Sequence, residues 1–136
     1  MIVVDTNIIA HLFIPSDSSG AAERALQKDG DWIVPRLWRS EFRNILATRL
    51  RVRKISLENA INTMTKAEDL LRDHEYEISS ATVLAVSHRS GASAYDCEFV
   101  VLALQFGIPL LTTDRKLAGT FPQTATSIED WLSTIS

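Results

Sequence analysis

Cysteine is nearly absent from this sequence. The one thiol, Cys97, can form no internal disulfide, which fits a reducing compartment such as the cytoplasm. The opening stretch "MIVVDTNIIAHLFIPSD" holds no Lys or Arg, and Asp5 interrupts its apolar run. It reads as a strand and a short helix rather than a signal peptide. No apolar run approaches the roughly 18 residues that a membrane span needs. Histidine is scarce, and His11, His74 and His88 are too scattered for a zinc site. Repeats, low-complexity tracts and linkers are missing as well, so residues 1–136 read as one domain, long enough to bury a core.

A positive total charge is also lacking, since the chain carries a formal −3. The distribution of charge says more than its sum. Arg36, Arg39, Arg43, Arg49, Arg51, Arg53 and Lys54 fall in one segment whose only acid is Glu41, so that segment is +6 and the remainder −9. A basic stripe on a mildly acidic protein can meet phosphates, or it can be a solvated helix face.

Short apolar strand patterns alternate with helical ones. "IVV", "WIVP", "YEIS", "PLLTT" and "ATSI" read as strands. Between them lie helical patterns: "TNIIAHLFI" ended by Pro15, Gly20 to Lys28, "RLWRSEFRNILATRLR" with Pro35 in its first turn, "SLENAINTMTKAEDLLRD", "SATVLAVSHRSG" with Gly91 as a C-cap, and Ala94 to Phe106 stopped by Gly107. "DRKLAG" allows one helical turn, and "EDWLSTIS" follows the last strand. This order predicts an α/β fold, a mainly parallel sheet with helices on both faces.

In such a sheet, ligands bind beyond the carboxyl ends of the strands. Asp5 follows "IVV" and Asp114 follows "LLTT", so both point to that crevice. Asp96 heads a helix whose only other polar residues are Glu98 and Gln105, and Glu41 lies amid arginines on the helix after the second strand. Taken singly, Asp5 and Asp114 could be helix N-caps and Glu41 a surface residue. Gathered together, carboxylates ~4 Å apart repel by about 4 kcal/mol per pair at an effective dielectric near 20. A cation relieves that repulsion, and oxygen donors without His or Cys nearby select Mg²⁺ or Mn²⁺. Glu98 reads as a surface residue, Cys97 as a packing residue, and Trp32, Trp38 and Trp131 as core. Arg39 and Arg43 can border the groove from its rim and hold phosphates, with Arg49, Arg51, Arg53 and Lys54 extending the track and Arg115 and Lys116 as the alternative.

The pieces "VVDTNII", "RSEFRNIL" and "SAYDCEFVVLALQFGIPLLTTDRKL", in this order, resemble the PIN-domain family, in particular its VapC-type toxin ribonucleases. The resemblance covers essentially the whole chain. It implies a three-layer sandwich around a parallel sheet of about five strands, and a Mg²⁺- or Mn²⁺-dependent endoribonuclease. By motif, Asp5, Glu41, Asp96 and Asp114 carry over as the acidic, metal-holding site, with Thr6, Asn7 and Thr112 as hydrogen-bonding supports. Some relatives have a further acid after the last motif, where this chain has Arg115 and Lys116. Proteins of this kind pair with a small antitoxin and form homodimers. A phosphoacceptor receiver domain would need adjacent acids after the first strand and a lysine where Asp114 stands. The other alternative is a non-catalytic module on the same fold that binds RNA or protein; the presence of all four acids argues against it.

Overall fold

Three short strands are buried at every position: β1 (Ile2–Val4), β2 (Trp32–Pro35) and β4 (Leu110–Thr112). Runs with no polar alternation belong in a sheet covered on both faces. The computed structural model describes residues 1–134 and places these strands at the centre of a five-stranded sheet; residues 135 and 136, the end of the expected domain, lie outside the described residues. The edges are β3 (Glu75–Tyr76) and β5 (Ala125–Ser127), and the order is β3-β2-β1-β4-β5 with every pairing parallel. The chain moves outward from β1 to β2 and β3, then returns to the other side of β1 for β4 and β5. The order therefore reverses between β1 and β4, which is the switch point where an open parallel sheet leaves a crevice.

The helices form two sets. α1 (Thr6–Phe13), α2 (Ser19–Lys28), α3 (Leu37–Arg51), α4 (Leu57–Leu71) and α8 (Ile128–Ser133) contact one another in series. α5 (Ser80–Ser90) packs on α6 (Ala94–Phe106), and α6 covers β1, β2 and β4. α7 (Arg115–Thr120) lies against β4 and β5. This is the parallel α/β sheet with covering helices that the strand and helix pattern predicted, in the three-layer sandwich that the resemblance implied.

Local chemistry explains the element ends. Ser56, Ser79, Ser93 and Ser127 each accept the backbone N–H three residues on, capping α4, α5, α6 and α8. Gly91 (φ 74°) and Gly107 (φ 64°) end α5 and α6 in the left-handed region, where a Cβ is disfavoured. Two expectations need correction. Pro35 closes β2 instead of opening α3; it lies past the end of the β1 pairing, whose register stops at Val3–Ile33, while Val34 gives its N–H to the β3 side, at His74. The third strand is Glu75–Tyr76 rather than "YEIS", because pairing stops after Tyr76 and Ser79 is already committed to capping α5. Trp32 and Trp38 are fully buried as expected, while Trp131 is half-buried beneath Lys28, whose ammonium lies 4.5 Å from the ring centroid.

Candidate active site

Asp5 and Asp114 stand just past the carboxyl ends of β1 and β4, on either side of the switch point. Each is also the N-cap of the next helix. Asp5 Oδ1 accepts the Ile8 N–H at 3.1 Å; Asp114 Oδ1 accepts those of Lys116 at 2.9 Å and Leu117 at 3.2 Å. Capping and lining the crevice are therefore compatible, since each carboxylate is aimed by the helix it starts.

Glu41 reaches the same crevice from α3. Trp38, Phe42 and Leu46 bury one face of that helix, each contributing about 1.5–3 kcal/mol by its removal from water. Turning Glu41 away from the crevice would expose them. Asp96 sits in the first turn of α6, its N–H held by the Ser93 hydroxyl at 3.1 Å. The rest of α6 is fixed by Cys97, Phe99, Val100, Val101, Leu102 and Ala103, all buried.

The four carboxylates line one open cleft of about 250 Å³, together with Thr6, Asn7 and the previously unflagged Asn44, Ile45, Phe99 and Leu117. Thr6 and Thr112, expected as supports, hold two of the acids. The Thr6 hydroxyl donates to Glu41 Oε1 at 2.6 Å, and the buried Thr112 hydroxyl donates to Asp5 Oδ2 while accepting the Asp114 N–H at 2.9 Å. Asn7 is exposed on the cleft wall.

Crowding and burial leave an electrostatic mark. Burial pushes the Asp5 carboxyl up from 3.8 to about 6; the hydrogen bonds from Thr112 and Ile8 oppose this, and the charges of Asp114 and Glu41 add to it. Glu41 is raised by burial and by Asp96, against the pull of Thr6. Asp96 is raised by burial and by Asp114, with Ser93 and Lys116 pulling it down. Asp5, Glu41 and Asp96 thus each feel another acid across the cleft.

Glu98 departs from its expected surface role. It is half-buried, and burial together with Glu41 raises its pKa. Two positions beyond Asp96 on a helix, it gave no periodic signal; only the fold, which brings α3 and α6 to one cleft, sets it near Glu41. Arg39 is the other departure. Its Nε and one terminal nitrogen donate to the two carboxylate oxygens of Glu75 at 2.6 and 3.0 Å, and the second terminal nitrogen pairs with Glu68. Those carboxylates come from β3 and α4, so Arg39 ties α3 to the sheet edge and is not the free phosphate contact its spacing suggested. Arg43, Arg115 and Lys116 are exposed, and Lys116 faces a small cleft shared with Asp96 and Asp114.

The donor set is all oxygen and strongly anionic, which suits a hard divalent cation. Among the described residues, no three His, Cys, Asp or Glu side chains are gathered closely enough to ligate one ion as they stand. The acids face a common space without closing a cage. That fits an ion such as Mg²⁺, which keeps several waters and takes few carboxylates directly.

Four acids and their hydroxyl partners at the switch point of a parallel sheet define an α/β protein with an acidic, oxygen-donor site. The PIN-domain profile matches residues 2–120, and the chain belongs to the PIN-domain family. It is 34% identical over 130 residues to Ribonuclease VapC3 of Pyrobaculum aerophilum, spanning 92% of this chain and 98% of that one. The fold is similar to the crystal structure of PAE2754 from Pyrobaculum aerophilum (TM-score 0.77, 20% identity, 96% of this chain and 92% of that one). It is also similar to FitAcB from Neisseria gonorrhoeae (TM-score 0.69, 15% identity, 95% and 99%). No helix among the described residues is long and apolar enough to cross a membrane.

Proposed function

We propose that this chain is a metal-dependent endoribonuclease, acting in the cytoplasm as the toxin of a toxin–antitoxin pair. The observation that carries the reading is the buried Asp5, held at about 6 within a cleft shared with Glu41, Asp96 and Asp114. A fold that keeps four acids together at such cost has a use for a cation there. The similarity to Ribonuclease VapC3 along nearly the whole of both chains supports RNA as the substrate. A cognate antitoxin and a second copy of this chain are the partners that go with this reading.

Asp5, Asp96 and Asp114 would hold Mg²⁺ or Mn²⁺, with Glu41 completing the shell directly or through water. When bound, such an ion offsets charge on a phosphate oxygen and makes water a better nucleophile at neutral pH. The chain's own residues supply position. Thr112 and the Ile8 N–H fix Asp5, Thr6 occupies Glu41 Oε1, and two backbone N–H groups fix Asp114. Glu41 Oε2 has no hydrogen-bond donor among the described residues, so it is the oxygen available to orient an attacking water. With water as nucleophile and the ribose 3′-oxygen as the leaving group, protonated as it departs, the cut ends are a 5′-phosphate and a 3′-hydroxyl.

The test is cleavage of end-labelled RNA by purified protein in Mn²⁺, Mg²⁺ or EDTA, with analysis of the new ends. Metal-dependent cuts bearing 5′-phosphates, lost in Asp5→Asn, are expected. A 2′,3′-cyclic phosphate would overturn the mechanism. No cleavage in either metal would favour a non-catalytic binding module.

A further inference from the structure

A second cleft, of about 370 Å³, opens where the C-terminal ends of α1 and α3 meet α4. Three cations line it, Arg49, Lys54 and Lys66, and no carboxylate does. Three arginines elsewhere find anions: Arg36 pairs with Glu77, Arg39 with Glu68 and Glu75, and Arg72 with Asp69. Among the described residues, none of the three cleft cations makes an ion pair. Arg49 is half-buried, so its stem is held against the cleft wall while Lys54 and Lys66 are exposed.

The backbone holds two of these cations together. The Lys54 N–H donates to the Arg49 carbonyl at 2.9 Å, and the Arg53 N–H to that of Leu50 at 3.1 Å. The turn places Arg53 at φ 57°, where a helix end favours glycine. An arginine there keeps a further charge beside the cleft at a conformational cost.

This cleft and the acid cleft share one helix. Glu41, Asn44 and Ile45 line the acid cleft, and Arg49 lines the cationic one. At 1.5 Å and 100° per residue, Arg49 lies about 12 Å along α3 from Glu41 and about 80° around it. A polymer of regularly spaced anions can occupy both clefts at once.

We propose that the cleft formed by Arg49, Lys54 and Lys66 is a phosphate-binding subsite for single-stranded RNA whose scissile phosphate lies in the acid cleft. This rests on the ribonuclease reading and adds to it the path of the strand, along α3 toward α4. Asn59, Asn62 and Thr63 supply neutral hydrogen-bonding groups on the same wall, suited to sugar and phosphate oxygens. The contacts are to the backbone, so they set affinity and not sequence preference.

The experiment measures binding of a labelled twelve-nucleotide RNA to the metal-free protein across a salt series. The K54A/K66A variant alters two exposed side chains, and thermal melting confirms that it folds. Each lost phosphate contact lowers the logarithmic salt slope by about 0.7, so the variant should show a slope smaller by about 1.4 and affinity weaker by about tenfold at ~0.1 M salt. K54R/K66R should restore both, and the defect should shrink as the RNA is shortened toward a dinucleotide. Unchanged affinity and slope in K54A/K66A overturn the subsite and leave the ribonuclease reading standing. Unchanged RNA binding with weakened binding of oligoglutamate would overturn it in favour of an acidic protein segment. A wild type that neither binds nor cuts RNA overturns the ribonuclease reading, and the subsite with it.

Discussion

Thr112 donates its hydroxyl proton to Asp5 across the β1–β4 pairing, and the same oxygen accepts the Asp114 N–H. One buried hydroxyl thus positions both strand-end acids. Thr112→Val keeps the shape but removes the donor and acceptor. A buried carboxylate that loses a hydrogen bond costs about 1–3 kcal/mol. The expected result is a melting temperature lower by several degrees and an RNA-cleavage rate reduced at least tenfold. Wild-type melting and cleavage in this variant would mean that the hydroxyl positions nothing.

The raised Asp5 pKa sets the sign of the pH dependence. Above about 6 the folded protein carries a charge on Asp5 that burial opposes; below about 3.8 the group is protonated whether folded or unfolded. Its penalty is therefore fully present at neutral pH and relieved as pH falls from about 6 toward 4. At about 1.4 kcal/mol per pH unit between the two values, that relief approaches about 3 kcal/mol. Glu41 and Asp96 act in the same direction, whereas Glu75 and Asp29 have lowered pKa values and lose stabilisation only at more acid pH. Urea unfolding in EDTA should show stability rising from pH 7 to about pH 5. Asp5→Asn, which keeps the helix cap, should flatten that rise. A wild type that weakens steadily over this range would contradict the assignment.

Metal should act through the same charges. An ion that binds only the folded state stabilises by about 2.7 kcal/mol at one hundred times its dissociation constant. Millimolar Mn²⁺ or Mg²⁺ should therefore raise the melting temperature of the wild type by several degrees. Asp96→Asn removes one repelling charge, so it should melt higher than wild type in EDTA and respond little to metal. Identical melting of the wild type in EDTA and Mn²⁺ would remove the support for a metal site.

What the sequence disclosed follows from periodicity and position. The largely apolar runs at Ile2–Val4, Trp32–Pro35 and Leu110–Thr112 announced buried parallel strands, and the acids just beyond two of them marked the crevice. Glycines 91 and 107 marked helix ends because a left-handed residue was needed there. The edge strand at Glu75–Tyr76 was harder to place: two half-buried residues carry no repeat, and their pairing depends on β2. Glu98, Asn44 and Phe99 were silent because their place near the cleft comes from the fold bringing α3 and α6 to its two walls. Arg39 was misread for a related reason. Spacing along α3 shows which charges share a stripe, but not that Glu68 and Glu75 arrive from other elements to neutralise one of them.

Arg39 and Arg43 should consequently behave differently, although they are one helical turn apart. Arg39 makes a forked contact with Glu75, a second with Glu68, and lies over the buried Trp38, whose indole N–H also donates to Glu75 at 2.8 Å. Glu75 belongs to the two-residue edge strand, so this cluster fastens the least supported strand to α3. Removing the guanidinium leaves two partly buried carboxylates facing each other without a cation. Arg39→Gln should cost about 1–3 kcal/mol of stability and speed hydrogen exchange at β3, while the salt slope of RNA binding stays near wild type. Arg43 is exposed and makes no ion pair among the described residues. Arg43→Gln should leave stability within about 0.5 kcal/mol, and if its charge meets RNA it should lower the salt slope by about 0.7. Melting curves and salt titrations on the two single variants separate the roles. An Arg39 variant as stable as wild type but with a flattened salt slope would return Arg39 to the RNA track.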